Sequence, residues 1–145
     1  MGSDALIGTD DRECGRVMLG ERLDEGISRH RLASSALRAG LEAMGFKLYD
    51  DPAHRMTSVT GVWIPDSVDG DKARGEMLLD FGIEIGTSFG PLHGKIWRLG
   101  TMGYVCRKFN VLRCLSSLEA VLRRNGFEMS AGAGVSAAYA VYDAV

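Results

Sequence analysis

The stretch Gly94-Lys95-Ile96-Trp97-Arg98-Leu99-Gly100-Thr101-Met102-Gly103 decides how this 145-residue chain is read. Ile96, Trp97 and Leu99 sit between glycines, the composition of a short buried strand. The glycines at 94, 100 and 103 let backbone come close to a ligand or a neighbouring chain. Strand alternation puts Arg98 on the same face as Ile96. Burying an arginine there is costly unless a carboxylate or phosphate pairs with it. Its planar fork matches a carboxylate through two parallel hydrogen bonds. Two readings stand open at this point. Arg98 is an anion receptor, or it closes an internal salt bridge with an acid of its own chain, and structural ion pairs are common.

Outward from this strand the chain alternates helical and extended patterns. Before it, Arg12 to Gly45 reads as helix, weakened in its first half by Gly20 and Gly26. Ala33, Leu37, Leu41 and Met44 share one face, with Gly45 placed as a left-handed cap, while Arg29, Arg31, Arg38 and Glu42 are expected in solvent. Phe46–Tyr49 is a short strand candidate ended by Asp50-Asp51-Pro52, and Thr57–Ile64 has a strand composition. Asp69 is the expected N-cap of a helix carrying Ala73, Met77 and Phe81, closed by Gly82. Ile83–Ile85 reads as a brief strand, and Gly86–Pro91 as a loop without a phosphate-loop signature. After the Arg98 strand, Arg107–Arg124 is the clearest helix, with Val111, Leu115, Leu118 and Leu122 as its buried stripe and Asn125-Gly126 as its end. The order predicts an α+β domain, a small antiparallel sheet covered on one face by helices. Residues 1–11 read as a loose start, 12–127 as the domain, and 128–145 as an Ala/Gly-rich tail in which Tyr139, Val141 and Tyr142 are available to dock.

Composition narrows the classes. Seventeen Lys and Arg against 19 Asp and Glu leave a formal charge of −2, and no basic run favours nucleic acid. No apolar run is long enough for a bilayer and no basic-then-apolar leader is visible, so a cytoplasmic protein without a membrane partner is expected. Cys14, Cys106 and Cys114 lack metal-ligand spacing and read as free thiols, Cys114 as packing. Among the histidines, His30 lies between arginines and reads as solvated or capping. His54 lies in a loop without a visible partner, and His93 is nearest the key strand. Met44, Met77 and Trp63 read as core, and Trp97 as packing beneath Arg98 or lining a cleft.

The run 94–103 resembles the C-terminal-domain signature of class V pyridoxal-phosphate aminotransferases, in the alanine/serine–glyoxylate and ureidoglycine–glyoxylate group. Supporting stretches lie in the same order: Arg29-His30-Arg31, Leu37 through Gly45, Val59 through Pro65, Asp80 through Ile85, and Asn110-Val111. The likeness covers about Arg12 to Phe127. It implies the C-terminal small domain of fold-type I enzymes, with Arg98 holding the carboxylate of a small amino acid or 2-oxo acid. It also implies pyridoxal 5'-phosphate and a homodimer in the complete enzyme. Transamination needs a lysine for the Schiff base. Lys47, Lys72, Lys95 and Lys108 are the four here, and none lies in the family's Schiff-base context. No catalytic residue and no cofactor on this chain alone are therefore expected. The alternative is a non-catalytic remnant, or a small-ligand-binding or dimerisation module.

Overall fold

The computed structural model describes residues 15–17 and 19–145. Expectations for residues 1–11 and for Cys14 lie outside these. Three strands, β1 (Val59–Trp63), β2 (Gly86–Thr87) and β3 (Ile96–Gly100), form an antiparallel sheet in the order β1-β3-β2. The strand quoted above is therefore the middle one. Its register places Val62 opposite Trp97 and Thr60 opposite Leu99. All four side chains are buried, and they form the sheet's inner face. Gly61 and Gly86 oppose Arg98 from the two sides, on the outer face.

Four helices account for most of the rest: α1 (Leu23–Ala43), α2 (Gly70–Phe81), α3 (Lys108–Arg124) and α4 (Ala133–Asp143). The stripe Ala33, Leu37 and Leu41 of α1 is buried with Met44 at its C-cap, and so are Val111, Leu115, Leu118 and Leu122 of α3. These stripes join Val62, Trp97, Leu99 and Met77 in one core. Each fully buried aliphatic side chain of this kind contributes roughly 1.5–3 kcal/mol. The cap assignments hold. Asp69 accepts the Lys72 N–H at 3.0 Å, and Gly82 closes α2 in the left-handed region. Gly45 has φ +93°, with the Gly45 N–H on Glu42 O and the Phe46 N–H on Leu41 O, a Schellman ending.

Four expectations change. The first helix breaks at Glu21–Arg22, and the Glu21 carboxylate turns to pair with Arg29. Phe46–Tyr49 makes one bridge, Leu48 to Val62, instead of a strand. The third strand is Gly86–Thr87 and not Ile83–Ile85. Ile85 sinks its side chain into the core and gives its carbonyl to Arg74 Nε at 2.8 Å, so the glycine that follows makes the close pairing. Arg29 and Arg38 are half-buried: Arg29 Nη1 donates to Gly103 O and Cys106 O, and Arg38 Nη1 to Ser34 Oγ and Met56 O. Long guanidinium arms reach backbone acceptors that helical periodicity does not show.

The Ala/Gly-rich stretch supplies α4, which lies along α1 and also packs on α3. The contact is made where Gly40 meets Gly134. A methyl group added at Gly40 would lie 2.8 Å from Gly134 O, and one added at Gly134 would lie 2.6 Å from Met44 Sδ. Lys108 sits over the rings of Tyr139 and Tyr142, 4.7 and 5.2 Å from their centroids, and 3.5 Å from Asp143.

Two outcomes follow for stability. Gly40→Ala should lower the unfolding free energy by about 1–3 kcal/mol in urea titration. Gly75→Ala, in α2 with open space around it, should instead raise it by about 0.4–1 kcal/mol. Burial, with a contribution from Cys106, pushes the Tyr142 hydroxyl from 10.0 up to about 12. The folded chain then keeps this proton when the unfolded chain has lost it. Its contribution is whole below pH 10 and drains as pH rises towards 12. Tyr142→Phe should flatten that part of the alkaline loss, measured by denaturation at several pH values.

Candidate functional site

Arg98 stands on the outer face of the sheet, in the middle strand. With glycine opposite it on both neighbouring strands, no side chain rises beside it from either partner. A methyl group added at Gly86 would lie 3.3 Å from Arg98 O and 3.8 Å from its Nε. The Nε–H donates to Thr87 O at 2.7 Å, and the guanidinium carbon lies 5.1 Å from the centroid of the Phe89 ring. Arg98 forms no ion pair with any described residue. The internal salt bridge left open above is not part of this structure's described residues, and the outer edge of the fork, Nη1 and Nη2, has no bond to the described protein.

The guanidinium borders a cavity of about 280 Å³. Tyr49, Asp50, His54, Ser88 and Ile96 are among the other lining residues. Ile96 thus shares the face of Arg98, as alternation requires. The acids here are already engaged. Asp50 pairs with Arg55 at 2.8 Å and Asp51 with His54 at 2.7 Å. The His54 ring and the Ala53 N–H hold the Asp51 carboxyl below its usual range. His54 therefore has a partner that sequence spacing did not reveal.

His30 and His93 are fastened elsewhere. His30 lies with Nδ1 2.7 Å from Gly26 O and accepts the Gly103 N–H on Nε2 at 3.0 Å. It thus ties α1 to the turn after β3, which a solvated or merely capping role did not anticipate. His93 Nδ1 is 3.1 Å from Ser88 O, inside its own loop. Trp97 is 0% exposed and faces the helices, so it neither underlies Arg98 nor lines the cleft. Trp63 is only half-buried, edge-on to Tyr49, because it falls on the outer face. Nothing in the sequence marks Phe89, since a lone aromatic in a glycine-rich loop has no periodicity.

A second cavity, of about 250 Å³, is bordered by Asn110, Arg113 and Cys114. Burial raises the Cys114 thiol to about 11, which makes it a poor nucleophile at neutral pH. Among the described residues no cluster of His, Cys, Asp and Glu is arranged for a metal, and no helix is long and apolar enough to cross a membrane.

No protein-family model matches the chain. The curated protein (S)-ureidoglycine–glyoxylate transaminase of Bacillus subtilis is 51% identical over 132 residues, 91% of this chain and 32% of that protein. Its crystal structure superposes with a TM-score of 0.85 over 88% of this chain and 33% of that one. Alanine–glyoxylate aminotransferase of Callithrix jacchus is 34% identical over 75% of this chain and 27% of that protein. The chain is a homologue of the C-terminal part of the alanine/serine–glyoxylate and ureidoglycine–glyoxylate aminotransferases. It spans about a third of the length of the curated relatives it matches. The small sheet with its helices is the α+β architecture of these solved relatives.

Such aminotransferases depend on pyridoxal phosphate, and the residues around Arg98 do not fit that cofactor by themselves. No lysine lines the cavity, and Lys47, Lys72, Lys95 and Lys108 are all exposed, outside the desolvated pocket that a Schiff-base lysine needs. Since Gly86 alone keeps the β2 side of Arg98 open, Gly86→Val should turn the guanidinium away. Glyoxylate affinity should fall at least about threefold, and because a methyl group there already meets the Arg98 carbonyl at 3.3 Å, the variant should also strain the β2–β3 pairing and lower the melting temperature. Calorimetry and thermal unfolding on the same sample check this.

Proposed function

We propose that this domain is the carboxylate-binding wall of an amino acid:glyoxylate aminotransferase. The observation that carries the reading is Arg98: an exposed guanidinium, unpaired with acid among the described residues, flanked by glycines and bordering a cavity. Its two outer nitrogens grip both oxygens of a carboxylate, and this fixes the α-carbon of a small amino acid or of glyoxylate relative to the reacting centre. The donor is alanine, serine or ureidoglycine. With ureidoglycine the reaction belongs to purine breakdown. The 51% identity to the Bacillus protein supports this group of donors.

The Schiff-base lysine comes from polypeptide corresponding to the two-thirds of the relatives that this chain does not span. This chain alone neither transaminates nor holds pyridoxal phosphate covalently. The working assembly is a cytoplasmic homodimer.

The exposed lysines also favour a second reading, a domain that binds small amino acids or promotes dimerisation without catalysis. Calorimetry of the chain with glyoxylate, alanine and serine addresses both. Weak carboxylate binding that Arg98→Ala reduces by about tenfold or more is expected, the loss of one partner of a charge-assisted pair being worth at least 1.4 kcal/mol. Equal binding by wild type and Arg98→Ala overturns the assignment of Arg98. Titration with pyridoxal phosphate followed by borohydride should label the exposed lysines weakly and without selectivity, and saturable trapping of one lysine at low cofactor concentration would overturn the expectation that this chain alone holds no cofactor.

A further inference from the structure

Phe89 is 75% exposed and belongs to no part of the core. Leaving so much aromatic surface in water is unfavourable by itself, and the ring's recorded contact is the Arg98 guanidinium. The loop that carries it is built to stay in place. Pro91 stands in a single 3-10 turn, Gly90–Leu92, whose ends are tied by Leu92 N–H to Phe89 O and His93 N–H to Gly90 O. His93 Nδ1 at Ser88 O closes the same loop from its far side. One residue before Ser88, Thr87 is anchored in the sheet opposite Trp97 and turns its carbonyl to Arg98 Nε.

We propose that Phe89 and the Thr87 carbonyl form a two-part clamp that positions Arg98 for small monocarboxylates. The carbonyl occupies the Nε–H, the donor on the inner edge of the fork. The ring turns its face to the guanidinium, whose carbon lies 5.1 Å from the ring centroid. What stays open is the outer edge with its two Nη groups, the edge that binds a carboxylate with parallel bonds. An arginine on an exposed sheet face otherwise samples many rotamers, and binding must arrest them. The clamp removes that freedom beforehand. Phe89 is thus a positioning residue acting through Arg98, and this inference rests on the carboxylate reading of that site.

The test combines a signal that needs no ligand with one that does. In nitrogen-15 spectra of the full chain, the Arg98 Nε–H resonance is assigned by its disappearance in Arg98→Lys. Wild type should show it slowed in solvent exchange and displaced by the ring current. Phe89→Leu should move it towards the free-arginine position and speed its exchange, while Phe89→Tyr keeps the wild-type signature. Calorimetry with sodium glyoxylate should show affinity falling about two- to fivefold in Phe89→Leu and retained in Phe89→Tyr, as a cation–π contact at an exposed site allows. Thermal unfolding of both variants should match wild type, since the ring lies outside the core. An unchanged Nε–H shift and exchange rate in Phe89→Leu overturns the clamp. That result is distinct from failure of the carboxylate reading, which shows as glyoxylate binding indifferent to Arg98→Ala.

Discussion

The desolvation of Trp97 and Leu99 is the constraint on which the rest depends. Both belong to the central strand, and both lose their water to α-helical side chains. A strand turns alternate residues to opposite sides, so a slip of one position would drive a guanidinium into the core and Trp97 into solvent. The free-energy difference between those registers is many times thermal energy. The apolar side of the sheet therefore determines where the arginine stands. The site on the outer surface is a by-product of packing on the inner one.

The outer face is sparse by construction. Its cross-strand neighbours are glycines on both sides, which removes the side-chain walls that usually crowd a middle strand. Polar contacts that seemed remote in the chain converge on the segment after the strand. His30 and Arg29, on the first long helix, hold the backbone from Gly103 to Cys106. The central strand is thus braced at its C-terminal end by a helix more than 70 residues earlier in sequence. The aminotransferases it resembles are about three times as long, and in this part of them the apolar core is packed behind the sheet while Arg98 faces outward.

Much of this was legible because periodic patterns report burial directly. The stripes of two long helices, the Asp69 and Gly82 caps, and two of the strands follow from spacing alone. Composition places the short edge strand a few residues early because Ile85 has a strand-like side chain but spends its carbonyl on Arg74. The burial of Trp97 follows from the strand composition, but aromatic character does not say which face of the strand is covered, so its place among the helices and away from Arg98 does not. Helical phase puts Arg29 and Arg38 in solvent because it ignores how far a guanidinium reaches. The C-terminal helix was hidden for another reason: it is held by closeness of backbone, and small residues leave little hydrophobic signature.

That seam between the first and last helices has a lasting consequence. Gly40 and Gly134 leave no slack, so bulk gained on one helix must be surrendered on the other. Met44 and Leu115 are the neighbours able to yield volume. Two regions at opposite ends of the polypeptide are thereby obliged to change together, and a drift in one narrows what the other can become.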